Sequence, residues 1–119
     1  MKPLWAPTDA ERTDTALDRF RRQVGLADYA SLHRWSIDFR GAFWATLWDF
    51  AGIVGERGRR TAEDLDRMPG TRWFPDAELN FAENLLQRRD ETPALVYRDE
   101  TGLRASVSFA ELAARVASV

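Results

Sequence analysis

The sequence predicts an α+β fold in which a mostly helical N-terminal part is followed by a β-hairpin and one further helix. Three observations lead to this prediction. Apolar residues recur at helical spacing between residues 17 and 51. Two short apolar runs flank the turn-forming segment 99–102. Ser108 stands three residues before Glu111, which is the spacing of a helix capping box.

The first helix is expected to begin at Thr8 or Asp9, whose side-chain oxygens can accept a hydrogen bond from an unpaired backbone N–H. Leu17, Phe20 and Val24 recur on one face of the same helix. We therefore predict a single helix with this face towards a core. Its solvent face is expected to contain Asp18, Arg19, Arg21 and Arg22.

Two more helices are expected before residue 52. Asp28 can cap the second, and Ser36 or Asp38 can begin the third. Because the apolar residues of the third helix cover more than one stripe, neighbours must cover it on two sides. These residues are Phe39, Phe43, Trp44, Leu47, Trp48, Phe50 and Ala51.

Between residues 52 and 68 the helical pattern gives way to Gly, Arg, Glu and Asp, which predicts an exposed connection with room for one helical turn. We place a domain boundary at its end, between a helical domain of residues 1–68 and a second domain of residues 69–119. Asn80 and Glu83 have capping-box spacing, so a helix is predicted from Phe81 to about Arg88.

The C-terminal part predicts a hairpin with strands Ala94–Tyr97 and Arg104–Val107. A helix follows, and its buried face is expected to contain Phe109, Leu112 and Val116. The sequence stops on an apolar helical turn with no capping residue, a pattern typical of a truncated domain. We therefore interpret the chain as a fragment.

Composition limits the classes of function that this chain can have. Hydrophobic residues make up 45% and charged residues 30% of the chain, as in an ordinary globular protein. A net charge of −2 offers no dominant positive field, so neither nucleic acid nor a membrane is a predicted partner. The absence of cysteine excludes disulfides and thiolate chemistry. No signal peptide is recognisable, and the longest apolar stretch is shorter than a membrane span, so a cytoplasmic protein is expected.

Few residues in the sequence suggest a catalytic, metal-binding or phosphate-binding role. His33 could be a metal ligand or a general base, but the sequence has no second His and no Cys, which favours a structural or surface role. Arg57, Arg59 and Arg60 could meet phosphate groups, although such clusters usually face water. We predict no catalytic, cofactor-binding or metal-binding residue in this chain.

Three other groups have a structural and a functional interpretation. Gly52, Gly55 and Gly58 match neither a dinucleotide fingerprint nor a P-loop, so they predict a flexible loop. The aromatic residues of the third helix could line a pocket but are more typical of a core. The carboxylates at positions 76, 78 and 83 could pair for catalysis, but Asp76 is better placed to shape a turn and Glu83 to cap a helix.

Three stretches resemble the N-terminal region of acetoacetyl-CoA synthetases: residues 29–36 (YASLHRWS), 43–52 (FWATLWDFAG) and, most specifically, 68–86 (MPGTRWFPDAELNFAENLL). Residues 94–119 are similar to the hairpin and helix that open the AMP-binding, or adenylation, domain in the wider adenylate-forming superfamily. The signature residues are expected to pack between the N-terminal helices and that domain. They are Trp35, Phe43, Trp44, Trp73, Phe74, Pro75, Asn80, Glu83 and Asn84.

The resemblance implies a ligase in which a carboxylate attacks the α-phosphate of ATP, releases pyrophosphate, and passes its acyl group to the thiol of CoA. The family also uses Mg²⁺. Its phosphate loop, its magnesium-holding Glu and its catalytic Lys match nothing in this sequence, where Lys2 is the only lysine. We therefore expect a segment that binds no cofactor, is inactive alone, and scaffolds the remainder of the synthetase as its partner.

Two alternatives stay open. The segment could belong to another short-chain acyl-CoA synthetase, such as acetyl-CoA synthetase, or it could be a stand-alone interaction module that covers a partner with its five tryptophans. Two positions also depart from the family pattern, which more often has Gly at 76 and Tyr at 81. Asp76 is expected to keep the turn, because Asp tolerates left-handed backbone better than most residues.

Overall fold

The structure is a computed structural model that describes residues 4–118. Six helices and two antiparallel two-stranded sheets lie within that range, which confirms the predicted α+β class. The chain forms two compact units. The first unit contains the residues up to Ile53 together with Arg57–Ala77, and the second contains Val54–Glu56 and the chain from Glu78 onward. None of the helices described is long and apolar enough to cross a membrane.

The first unit begins with two short helices, α1 (Asp9–Arg12) and α2 (Ala16–Gln23), where one helix was predicted. Thr8 caps α1 as expected, in a full capping box with Glu11. The prediction of a single helix is wrong because Thr15 accepts a hydrogen bond from the first turn of α2 and begins a new helix.

Helices α3 (Tyr29–Asp38) and α4 (Arg40–Ala51) follow with one residue between them. Asp28 caps α3 as predicted. The prediction that Ser36 or Asp38 begins the next helix is wrong: both lie inside α3, and α4 starts without a side-chain cap. Phe39 joins the two helices: its N–H donates to the carbonyl of Trp35, and its carbonyl accepts from the N–H of Phe43, both at 2.9 Å.

Phe20 is the centre of the first unit, with only 4% of its surface exposed. Its ring lies 5.0 Å from that of Phe50, 5.8 Å from Phe43 and 6.4 Å from Trp35, measured between centroids. The predicted burial of the α2 stripe is therefore only partly right, because Leu17 on the same helix is 53% exposed.

The connection after α4 contains a small sheet instead of the expected helical turn. Strand β1 (Ala62–Glu63) pairs antiparallel with β2 (Arg72–Trp73). Each strand has two residues, so neither shows the alternating pattern by which a strand is recognised in a sequence.

The second unit contains α5 (Phe81–Leu85), β3 (Pro93–Arg98), β4 (Arg104–Ser108) and α6 (Phe109–Ala117). The predicted hairpin is confirmed, with slightly longer strands. Helix α5 ends three residues earlier than predicted, at Leu85.

The small core of the second unit contains Leu86 and Ala113, which are 8% and 3% exposed. Phe109 and Leu112 are half-buried, in line with the predicted face of α6. Val116 is 44% exposed, so its predicted burial is wrong. The buried face of α6 is centred on the small residue Ala113, and Val116 lies one turn beyond it.

Asp90 fixes the loop before β3. Its carboxylate accepts hydrogen bonds from the Thr92 hydroxyl, from Arg88 Nε at 2.7 Å and from the Thr92 backbone at 2.9 Å. These contacts, led by the Thr92 hydroxyl, lower the pKa of Asp90 to about 2. The stabilisation from Asp90 should thus be complete above its unfolded pKa of about 3.9 and be lost as the pH falls towards 2.

An NMR titration of the Asp90 carboxyl should show this low pKa, and Thr92→Val should raise it because the hydroxyl donor is removed while the side-chain shape is kept. A carboxyl that titrates near its unfolded value in the native protein would contradict the expectation.

Candidate functional site

The signature residues form two groups, one in each unit. The aromatic cluster lies in the first unit and contains Trp35, Phe43, Trp44, Trp73 and Phe74. The α5 cluster lies in the second unit and contains Asn80, Glu83 and Asn84.

The aromatic cluster is a continuous series of ring contacts. The Phe43 ring lies 5.8 Å from Trp35 and 5.4 Å from Trp44, at interplanar angles of 69° and 82°. Trp44 lies 5.5 Å from Trp73 in turn. Such edge-to-face and tilted contacts are the favoured geometry of packed aromatic side chains. The rings therefore pack on one another, but Trp44 and Trp73 stay 41% and 40% exposed, so the predicted core role of these aromatic residues is only partly right.

A turn at residues 74–77 follows the sheet and contains Pro75. Phe74 has a φ of 45°, and its backbone N–H donates to the carbonyl of Thr61 at 2.8 Å. Its ring lies 4.8 Å from that of Trp48, which offsets the unfavourable backbone. The turn forms with Asp76 in it, as expected, but its left-handed residue is Phe74 and not Asp76.

Asp76 instead anchors the loop by its carboxylate. Arg60 donates from Nε to Asp76 Oδ2 at 2.8 Å, and a second guanidinium nitrogen contacts the other oxygen. This pairing lowers the pKa of Asp76 and raises that of Arg60. Glu63 joins the network by contacting both Arg60 and Arg72.

Arg57 is also paired within the first unit. It donates to Asp49 Oδ1 at 2.9 Å and to the carbonyl of Ala45 at 3.2 Å. Because Arg57 and Arg60 already have carboxylate partners, neither is arranged to receive a phosphate.

His33 lies on the exposed side of α3, with its ring stacked 6.0 Å from that of Tyr29. The Ser36 hydroxyl donates to the backbone carbonyl of His33 at 2.8 Å and not to its ring. Across residues 4–118, no group of three or more His, Cys, Asp or Glu side chains could hold a metal ion.

In the α5 cluster, Asn80 caps the helix by accepting from the backbone N–H of Glu83 at 3.1 Å. The Glu83 side chain does not return to Asn80 within the described part of the chain, so half of the predicted capping box forms. The Asn84 side chain forms hydrogen bonds with the backbone N–H and the backbone carbonyl of Val54, which lies in the segment after α4.

Sequence reasoning missed residues 54–56 and one role of Gly55 and Gly58. An added Cβ at Gly55 would lie 2.7 Å from the Glu78 carbonyl oxygen, and one at Gly58 would lie 2.9 Å from that of Asp76. Gly55 and Gly58 thus have a role that the flexible-loop interpretation did not include, because they allow close backbone approach. The only signal in the sequence was the presence of glycine itself.

Comparison with known proteins gives consistent matches. A family model described as "Acetyl-coenzyme A synthetase N-terminus" matches residues 29–85. Acetoacetyl-coenzyme A synthetase of Rhizobium meliloti (strain 1021) is 40% identical over 123 residues, which cover 97% of this chain and 19% of that protein. Malonamoyl-CoA synthetase of Penicillium aethiopicum is 40% identical over 127 residues, which cover 95% of this chain and 17% of that protein.

A solved structure, acetoacetyl-CoA synthetase from Streptomyces lividans, matches with a TM-score of 0.85 and 37% sequence identity. The match covers 99% of this chain and 20% of that one. The chain thus spans about a fifth of the length of the relatives it matches.

Proposed function

This chain is homologous to the N-terminal region of the acetoacetyl-CoA synthetases over nearly its whole length, and we propose that it is the scaffolding segment of an ATP-dependent acetoacetate–CoA ligase. The whole enzyme would convert acetoacetate, ATP and CoA to acetoacetyl-CoA, AMP and pyrophosphate. The segment itself would bind neither ATP, Mg²⁺ nor CoA, and its partner would be the remainder of the synthetase. A cytoplasmic location stays a prediction.

One observation carries the scaffolding role: most of the signature side chains contact aromatic rings or backbone groups of this chain. The rings of Trp44 and Trp73 pack together, and Asn80 and Asn84 bond to main-chain groups. Contacts of this kind support a role in fixing the backbone.

Charge supports the same conclusion. Adenylation moves negative charge on the phosphate oxygens, so its site needs cations that are held ready for them. In the described chain Arg40, Arg57 and Arg60 each face an aspartate within the first unit. Each of these three guanidinium groups is therefore already paired with a carboxylate.

The acyl substrate class follows from the chemistry that the relatives' names share. Acetoacetate and malonamate are both short carboxylic acids with a carbonyl group at carbon 3. The chain is 40% identical to a synthetase of each kind, so this segment does not distinguish the two acids. We propose a short acid with a carbonyl at carbon 3 as the substrate, acetoacetate first, with acetate as the alternative that the family model's description supports.

The domain division stays a prediction: residues 1–68 as a helical N-terminal domain and residues 69–119 as the start of the AMP-binding domain. β2 belongs to the first unit, whereas α5 and the hairpin belong to the second. If the compact units define the boundary, the AMP-binding domain would therefore start near Glu78 and not at residue 69.

The test is the exchange of radiolabelled pyrophosphate into ATP, which reports the adenylation step alone. The full-length polypeptide that carries this segment should catalyse exchange with acetoacetate or malonamate more readily than with acetate. Residues 1–119 alone should catalyse none. Exchange by the short chain would contradict the scaffolding role, and a full-length protein inactive with all three acids would contradict the proposed ligase.

A further inference from the structure

A three-residue segment, Val54–Glu56, leaves the end of α4 and belongs to the second unit; we call it the strap. Asn84 on α5 holds its first residue by both backbone groups. The Val54 N–H donates to Asn84 Oδ1 at 2.8 Å, and Asn84 Nδ2 donates to the Val54 carbonyl at 2.8 Å. The carboxamide thus pairs with Val54 as a neighbouring β-strand residue would.

The hydrogen-bonding capacity of the Asn84 carboxamide is fully used. Nδ2 also donates to the carbonyl of Asn80 at 2.9 Å, and Oδ1 also accepts from Gln87 Nε2 at 3.3 Å. A carboxamide has two N–H donors and two acceptor lone pairs. An ionised carboxylate has the right shape but no donor, so position 84 requires both halves of the amide.

The remainder of the strap is held by its backbone. The N–H and carbonyl groups of Glu56 pair with those of Glu78 in two bonds of 2.8 Å. Gly55 has a φ of 148°, and a Cβ there would lie 2.7 Å from Leu79 Cβ. All three strap residues are exposed, Val54 to 39%. Four hydrogen bonds fix the strap: two between Val54 and Asn84 and two between Glu56 and Glu78.

We infer that Asn84 is a positioning residue that latches the strap to α5, the first helix of the predicted AMP-binding domain. This inference rests on the proposed function for the meaning of that domain. The latch itself is a contact within the second unit, between residues 30 positions apart in sequence.

The matched test replaces Asn84 of α5 and, separately, its N-cap residue Asn80 by aspartate in the full-length polypeptide. Asn80→Asp keeps the acceptor oxygen that caps the helix, and Asp is as good a cap as Asn. Asn84→Asp keeps the shape but loses the donor and places negative charge against the Val54 carbonyl. Hydrogen exchange at the Val54 and Glu56 amides, corrected for intrinsic rates, measures the result.

At pH 7 Asn84→Asp should reduce protection of the Val54 amide by about tenfold or more, whereas Asn80→Asp should leave it unchanged. Acid should restore the latch, because a protonated carboxyl donates and accepts as the amide does. The strap favours that neutral form and raises the pKa of the introduced carboxyl above its unfolded value of about 3.9. Protection should therefore be full below that value and be lost as the pH rises through the raised pKa.

Asn84→Ala is the second variant. In it the Val54 amide should lose protection at every pH, because alanine has neither the donor nor the acceptor. Equal protection in the two aspartate variants at pH 7, or a loss that acid does not restore, would overturn the latch. Pyrophosphate exchange on the same preparations tests the proposed function separately. A protein inactive with every acid, but with the expected contrast in amide exchange, would refute the ligase and leave the latch intact.

Discussion

Phe20→Ala should lower the free energy of unfolding of the first unit by about 3–5 kcal/mol, the usual cost of removing a buried aromatic ring. Phe20 is 4% exposed, and three other aromatic rings lie within 6.4 Å of its centroid. Removing the ring leaves a cavity that side chains from α3 and α4 can fill only in part, so both the transfer free energy and the packing contacts are lost.

Urea denaturation followed by tryptophan fluorescence measures this loss, because Trp35 contacts the Phe20 ring and reports its environment. The matched control is Phe81→Ala, since Phe81 is 74% exposed at the first position of α5. Its expected effect is within about 0.5 kcal/mol, as for most exposed substitutions. A similar loss in both variants would mean that Phe20 is not the centre of the core.

Helix starts were the most predictable part of the fold, because a cap depends on residues three positions apart. Thr8, Asp28 and Ser108 all cap the helices expected from their spacing. Thr15 carried the same kind of signal, but the apolar stripe of α2 appeared to continue from the preceding turn. At Thr15 the cap was the better guide, whereas at Ser36 and Asp38 it was not, because both residues lie inside α3.

Contacts that depend on distant residues could not be predicted in this way. Arg21 was expected to face water, yet its side chain is 23% exposed and donates to the carbonyls of Leu26 and Ala27 after the helix ends. These carbonyls become available only because the chain turns back past α2. No spacing rule places them beside the guanidinium.

In the candidate site, too, local features were predictable from the sequence and contacts between distant residues were not. The aromatic residues were recognised from composition and resemblance, but the order of their ring contacts depends on β2 bringing Trp73 to Trp44. The Asn84 latch joins positions separated by a loop and a sheet. In both cases the residue types were visible in the sequence, whereas their partners were set by the folded chain.

The second prediction with a large effect concerns Gly58, which the backbone of Asp76 approaches closely. Gly58 and Gly25 have nearly the same left-handed φ, 74° and 72°. A Cβ at Gly25 would meet nothing within 4 Å, whereas one at Gly58 would lie 2.9 Å from the Asp76 carbonyl oxygen and closer still to its Cβ. The pair therefore separates the cost of backbone conformation from the cost of steric overlap.

Gly25→Ala should lower the free energy of unfolding by about 1 kcal/mol, the cost of left-handed backbone for a residue with a Cβ. Gly58→Ala should cost about 2–4 kcal/mol, because Asp76 must also move while Arg60 holds its carboxylate. Urea denaturation of the two variants gives the difference directly. Equal losses would show that the loop yields to the added methyl group, and that Gly58 is required only for its backbone conformation.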